Sequence, residues 1–185
     1  SERPVRSAIS LRRRWPGDVK PDVLAIAKGV ASGLPLGVAD ARADLMTWPP
    51  GAHASTFGGN PLSCAAALAT IKLLKDSLIE NAAEVGAYMK GALAALMETH
   101  PLIGDVRGRG LMIGVELVRD RTTKERAIQE RDAVVNAAFR RGLLVLGAGK
   151  NSVRFSPPLV LTREQADTAV RVFGEALTEV EGERR

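Results

Sequence analysis

A five-residue apolar run, VLAIA at 23–27, is followed at once by a lysine and then by small residues and glycines, so that residues 25–37 read AIAKGVASGLPLG. The run has no polar alternation, which predicts a strand buried on both faces of an α/β sheet. Lys28 then falls at the carboxyl end of that strand, where open α/β sheets place their ligands. Gly29, Gly33 and Gly37 permit close backbone approaches that a side chain would block, and Pro35 fixes one turn between them. A surface lysine keeps a pKa of about 10.4, whereas an amine in a dry pocket beside other positive charge can become a neutral nucleophile. By itself the pattern suits equally a strand-end lysine reaching water beside a glycine-rich loop.

A second segment, GAHASTFGGNPLSCAAALATI at 51–71, opens with small and hydroxyl residues, passes Gly58 and Gly59, and turns into a helix at Pro61 with Asn60 as N-cap. Its backbone amides, with the hydroxyls of Ser55 and Thr56, are suited to an anion such as a phosphate. Taken singly it is an N-capped helix.

Together the two segments resemble the class III, ornithine and 4-aminobutyrate type aminotransferases, fold type I enzymes dependent on pyridoxal 5'-phosphate. The family's AKG-like tripeptide is matched by Ala27, Lys28 and Gly29, its GLPLG-like loop by residues 33–37, and its STFGGNP-like stretch without a gap by residues 55–61. Further on, VRGRGLMIGVELV (106–118) is similar to the strand that opens the small C-terminal domain, and RRGLLVLGAGKNSVRFSPPLVLT (140–162) to the next strand pair. The resemblance covers residues 20 to about 180, with three separated motifs in order. It implies the C-terminal part of a fold type I transferase, namely the end of the large α/β domain over 20–75 and a small α+β domain over 76–185. It also implies site residues: Lys28 as the catalytic and cofactor-bearing lysine, Ser55 and Thr56 at the cofactor phosphate, and Arg154 on a substrate carboxylate. A planar guanidinium gives a carboxylate two parallel hydrogen bonds. In the family the threonine serves the neighbouring subunit, so the resemblance implies a homodimer with shared active sites. The implied reaction moves an amino group from a small-molecule donor, 4-aminobutyrate-like, to a 2-oxo acid such as 2-oxoglutarate. A racemase on the same scaffold uses the same lysine, and a non-catalytic remnant is the third alternative.

Full-length members begin with a segment that supplies a phosphate loop, an aromatic over the cofactor ring and an aspartate at the pyridine nitrogen. No counterpart is found here, and residues 1–18, SERPVRSAISLRRRWPGD, replace the family's GxGRTG-like stretch. The chain is therefore expected to be truncated or frame-shifted near Trp15, and to hold the cofactor poorly alone. Residues 1–20 carry six basic and two acidic side chains, which accounts for most of the net charge of +5. An Arg-rich start also suits a transit peptide or nucleic-acid arm, but Glu2, Pro4 and Pro16 favour a shifted start, and no nucleic-acid partner is expected.

One cysteine among 185 residues excludes a disulfide framework, and no apolar run reaches the ~20 residues of a membrane span. A cytoplasmic protein with no membrane partner is expected. His53 and His100 lack paired ligands, so no metal site is expected, and His100 reads as a surface or capping residue. Cys64 reads as a small buried residue. The remaining pattern predicts helices from Pro61 to about 75, 78–97, 124–141 and 163–180, and strands at 106–118, 143–146 and 152–156. Thr162 with Glu164 and Gln165 forms an N-terminal cap, and Gly182 lies beyond the last helix.

Overall fold

The computed structural model describes residues 21–183. The basic leader, 1–19, lies outside them. The chain divides between Lys75 and Asp76 into two compact units.

In the first unit, strand β1 (Val23–Ile26) pairs antiparallel with β2 (Val38–Ala41), Val23 opposite Ala41 and Ile26 opposite Val38. Leu24 and Ile26 are half-buried while Val23 and Ala25 are exposed. The strand thus has one covered face, where its unbroken apolar run predicted two. Among the described residues β1 and β2 form a two-stranded ribbon, which contains no interior strand. Arg42 fastens its end, donating its amide to the Asp22 carbonyl at 3.1 Å and Nη1 to the Asp22 carboxylate at 2.9 Å. Helix α1 (Pro61–Leu73) starts where the sequence places it: Asn60 Oδ1 accepts the amides of Leu62 at 3.0 Å and Ser63 at 3.2 Å, and Pro61 occupies the first turn. This helix is apolar nearly all round, with Ser63 and Ala67 buried and Leu62, Leu68 and Leu73 exposed. Cys64 on it is half-buried, less covered than expected. A π-helical turn, Leu74–Leu78, follows.

The second unit is an α+β arrangement. Helix α2 (Ile79–Ala95) leads to β3 (Ile103–Arg109) and β4 (Met112–Leu117). Helix α3 (Ile128–Arg140), β5 (Leu146–Ala148), β6 (Ser152–Phe155) and α4 (Arg163–Gly182) complete it. The four strands form an antiparallel sheet in the order β3-β4-β6-β5. Residues 106–118 therefore make a hairpin and not one strand, because Gly110 at φ +55° turns the chain between Arg109 and Leu111. The strand expected at 143–146 lies three residues later, and Gly182 is the last residue of α4 instead of lying beyond it.

Alternation along β4 separates the two faces of the sheet. Ile113, Val115 and Leu117 are fully buried, joined by Val153 and Phe155 of β6, Met89 and Leu93 of α2, Val134 of α3, and Phe173 and Leu177 of α4. Phe155 meets Phe173 edge-on with ring centres 5.1 Å apart. Burying an aromatic or leucine side chain this completely contributes about 1.5–3 kcal/mol each. Helix α4 begins with a capping box: Thr162 Oγ1 accepts the Gln165 amide at 3.2 Å and Gln165 Oε1 accepts the Thr162 amide at 3.0 Å.

Hydrogen bonds tie the start of α2 to the approach of α4 and its end to the end of α4: Asn81 to the Leu161 carbonyl, Tyr88 to Asp167, and His100 to Glu181. The near-constant separation of 79–81 residues shows that the two segments run parallel. His100 is accordingly buried, 8 % exposed, with Nδ1 2.8 Å from Glu181 Oε2, and is not the surface residue the sequence suggested. Arg121 completes this corner by donating to the carbonyls of Met97 and His100, at the end of the helical segment, and to that of Ile103, where β3 begins. Among the described residues no helix is long and apolar enough to cross a membrane.

Candidate active site

Lys28 opens a short 3-10 turn, Lys28–Ala31, two residues beyond the end of β1. Its φ is +57° and that of Ser32 is +49°. Left-handed backbone costs a non-glycine residue on the order of 1–2 kcal/mol, so two such residues in one turn must be held by their surroundings. The hold is visible. Ala31 is buried, the Ser32 and Leu34 amides donate to Gly29 and Ala31 carbonyls, and Ser32 Oγ lies 2.9 Å from Thr70 Oγ1 on α1. Thr70 spends its own proton on the Ala66 carbonyl at 3.0 Å, which makes Ser32 the donor. The Lys28 side chain is exposed and its amine has no hydrogen bond or ion pair among the described residues. The dry surroundings that would favour a neutral amine are therefore not supplied by this unit's described residues. An open cleft of about 750 Å³ adjoins Lys28, lined by Gly29 and residues 32–36.

Ser55 and Thr56 lie in the exposed turn before α1, and neither hydroxyl has a hydrogen-bond partner among the described residues. They do not line the cleft of Lys28. The amides of Leu62 and Ser63, which the sequence offered to an anion, are occupied by Asn60 Oδ1, and those of Gly58 and Asn60 by the Ser55 and Phe57 carbonyls, which leaves the hydroxyls among the donors at this turn. His53 lies nearby, with its ring edge-on to Trp48 at 4.9 Å.

Arg154 lies in the second unit, on β6, with Gly114 opposite it on β4 and Leu146 opposite it on β5. Val153 and Phe155 turn into the core, so Arg154 lies on the open face, exposed and without an ion-pair or hydrogen-bond partner among the described residues. It lines a largely apolar cavity of about 550 Å³ together with Leu143, Leu146, Pro157, Pro158 and Gln165. The other arginine there, Arg141, is engaged by the Ala137 carbonyl and Glu179. Asn81 Nδ2 donates to the carbonyls of Leu159 at 2.7 Å and Leu161 at 3.1 Å, steadying the loop after the proline pair.

Four residues at and beside this open face escaped the sequence reading. Arg107 donates to Asp105 and Glu116, both at 2.7 Å, and buried Asn151 donates to Glu116 at 3.3 Å and to the Leu117 carbonyl at 2.6 Å. The Arg107 guanidinium holds the Glu116 carboxyl below the usual carboxylate range; burial opposes this and Asn151 reinforces it. Reading a hairpin at Gly110 would have placed Arg107 and Glu116 on neighbouring strands.

The chain belongs to the class-III aminotransferase family, whose sequence model matches residues 12–177. It is 42% identical over 165 residues to the leucine/methionine racemase of Thermococcus litoralis, an alignment covering 88% of this chain and 37% of that protein. It is 36% identical over 163 residues to the acetylornithine aminotransferase of Caldanaerobacter subterraneus, covering 88% of this chain and 39% of that protein. Among solved structures, it superimposes at a TM-score of 0.78, with 35% identity, on an amine transaminase from an uncultivated Pseudomonas species in its pyridoxal-phosphate-bound form, covering 88% of this chain and 39% of that one. The chain thus spans about two fifths of the length of the relatives it matches. Its fold is that of the fold type I aminotransferases over the matched portion, and the family uses pyridoxal phosphate as cofactor.

The residues present suit that group. Its aldehyde requires an amine, and Lys28 carries one with no competing partner beside an open cleft. Its phosphate requires hydrogen-bond donors, and Ser55 and Thr56 offer free hydroxyls.

Proposed function

We propose that this chain carries the lysine half of a pyridoxal-phosphate-dependent aminotransferase that moves the amino group of an amino acid or ω-amino acid, 4-aminobutyrate-like, to a 2-oxo acid such as 2-oxoglutarate. The observation that carries the reading is Lys28 itself: an unpartnered amine on a strained left-handed turn, buttressed by Ala31 and by the Ser32–Thr70 hydrogen bond. Pyridoxal phosphate, when bound, supplies a ring that withdraws electrons from the substrate carbon. Lys28 Nζ is the amine that would hold the group and, freed when the substrate amine takes its place, would accept the proton from the substrate carbon that bears the amine. Ser55 and Thr56 donate hydrogen bonds to the phosphate. Arg154 takes a substrate carboxylate in a fork of two hydrogen bonds and so fixes which carbon faces the lysine. In the same reading, which rests on the family resemblance, the Thr56 hydroxyl serves the phosphate held by a second copy, and the working unit is a homodimer with shared sites; that Thr56 does not line the Lys28 cleft is consistent with this. The same proposal places the protein in the cytoplasm.

A racemase is the second reading, favoured by the identity to the leucine/methionine racemase. There Lys28 returns the proton to the same carbon, and no 2-oxo acid is consumed.

Borohydride reduction after addition of pyridoxal phosphate captures even a short-lived condensation. Peptide mapping should find the label on Lys28 in preference to the other lysines, and Lys28→Ala should remove it. Equal labelling of the other lysines in wild type and variant would refute the assignment. Glutamate formed from 4-aminobutyrate and 2-oxoglutarate reads transamination, whereas loss of optical purity of leucine without 2-oxoglutarate reads the racemase.

A further inference from the structure

Arg107, Gly114 and Arg154 stand in one cross-strand row on the open face of the sheet, Arg107 opposite Gly114 and Gly114 opposite Arg154. Glu116 follows Gly114 by two residues on the same face, facing Asp105 on one side and Ser152 on the other. It is therefore the diagonal neighbour of both arginines, at a spacing of roughly 7–8 Å that long side chains bridge. By register alone Glu116 could pair with either. Gly114 puts no side chain between the arginines to decide it; a methyl there would meet the Arg107 carbonyl alone, at 3.9 Å.

The choice is made by the contacts around the carboxylate. Arg107 Nη1 donates to Glu116 Oε2 and to Asp105 Oδ2, so the arginine is anchored by two acids. Asn151, fixed by its bond to the Leu117 carbonyl, holds the other oxygen of Glu116. Both carboxylate oxygens point toward Arg107 and Asn151, and Arg154 is left without an acidic partner.

We propose that Arg107 and Asn151 are positioning residues that hold Glu116 away from Arg154 and so keep Arg154 open to a ligand carboxylate. The inference deepens the reading of Arg154 given above and rests on it. Without the Arg107 tether, Glu116 would swing to the free guanidinium and compete with any incoming carboxylate as an internal anion. The anchoring acid Asp105 takes part in the same way, by keeping Arg107 on its own side of the row.

The test reads the Nε–H resonance of Arg154 in the full 185-residue chain by NMR, assigned by its loss in Arg154→Lys, with 2-oxoglutarate as probe. In wild type the resonance should shift on addition of 2-oxoglutarate. In Arg107→Gln it should already be shifted before any ligand is added, and the apparent Kd should rise about two- to five-fold, as an exposed ion pair allows. Arg107→Gln combined with Glu116→Gln should restore both, and Arg107→Lys should stay close to wild type. The Arg107 side chain is 58% exposed, so these substitutions suit a folded chain. An unshifted ligand-free resonance in Arg107→Gln, or a double variant that fails to restore it, overturns the proposal. A wild-type resonance unmoved by 2-oxoglutarate overturns the carboxylate role of Arg154 instead, and the ligand-free shift then separately decides whether Glu116 changes partner.

Discussion

Gly86 offers a sharp test of how the second unit is packed. It is buried in α2 between Val85 and Met89, and a methyl built on it would lie 2.2 Å from the carbonyl carbon of Gly110, 2.3 Å from its oxygen and 2.8 Å from its Cα. Ordinary contact begins near 3.4 Å. Backbone lies on the opposing side, in the turn of the β3–β4 hairpin, so no rotamer change relieves the overlap. The helix would have to retreat by more than about 1 Å, a gap that forfeits a quarter to a half of each dispersion contact it opens, and it would carry Val85, Met89 and Leu93 with it. Overpacking of this kind costs about 1–3 kcal/mol, occasionally more. Alanine's helix propensity returns about 1 kcal/mol. Because the opposing atoms are backbone, the upper end of that cost applies, about 3 kcal/mol less about 1, so the net expected loss for Gly86→Ala is about 2 kcal/mol, a fall in Tm of about 8–16 °C for a domain of this size. Gly91 is the matched control: it lies on the same helix, exposed, with nothing within 4 Å of the added methyl. Gly91→Ala should raise Tm by a few degrees, followed like the first by far-UV circular dichroism. Equal or same-sign shifts in the two variants would refute the close approach of α2 to the hairpin.

Two further outcomes follow from single contacts. Thr162→Ala removes the hydroxyl that accepts the Gln165 amide and should cost about 1 kcal/mol; Thr162→Ser should retain most of it, and an alanine variant as stable as wild type in urea would contradict the capping box. The Glu116 carboxyl is held below its unfolded pKa, so its contribution is present above about pH 4.3 and is lost as the pH falls through the lower native value. Glu179 and Asp120 are shifted in the same direction. Glu116→Gln should therefore flatten part, and not all, of the decline in urea midpoint between about pH 5 and pH 3; an unchanged slope would show that Glu116 has no such role.

The helices were legible because their signals are local. Asn60 before Pro61, and Thr162 three residues before Gln165, announce helix starts in a few residues, and both were found capping. The features that were misjudged depend on contacts across the fold. His100 is buried because Glu181, far along the chain, comes to it. The unbroken apolar run of β1 could not reveal that its ladder partner would be a ribbon strand, leaving one face open. Residues 106–118 read as one strand because Gly108 and Gly110 sit among β-formers, and only the positive φ at Gly110 separates a hairpin from a bend. At the candidate site, Lys28, Ser55, Thr56 and Arg154 stood out by motif. The tether of Glu116 did not, since it arises from register between β3, β4 and β6.

The parallel run of α2 and α4 also has a consequence in time. Its ties through Leu161, Asp167 and Glu181 join residues 79–81 positions apart. At roughly 5–20 residues per second of synthesis, a given residue of α2 waits about 4–16 s before its partner on α4 exists. Through that interval Met89 and Leu93 can be covered by the hairpin as it is made, while the side of the core that Phe173 and Leu177 will complete stays open. A ribosome-bound chain stalled before α4 is thus the species most exposed to chaperone capture, and release of that hold should follow the emergence of α4.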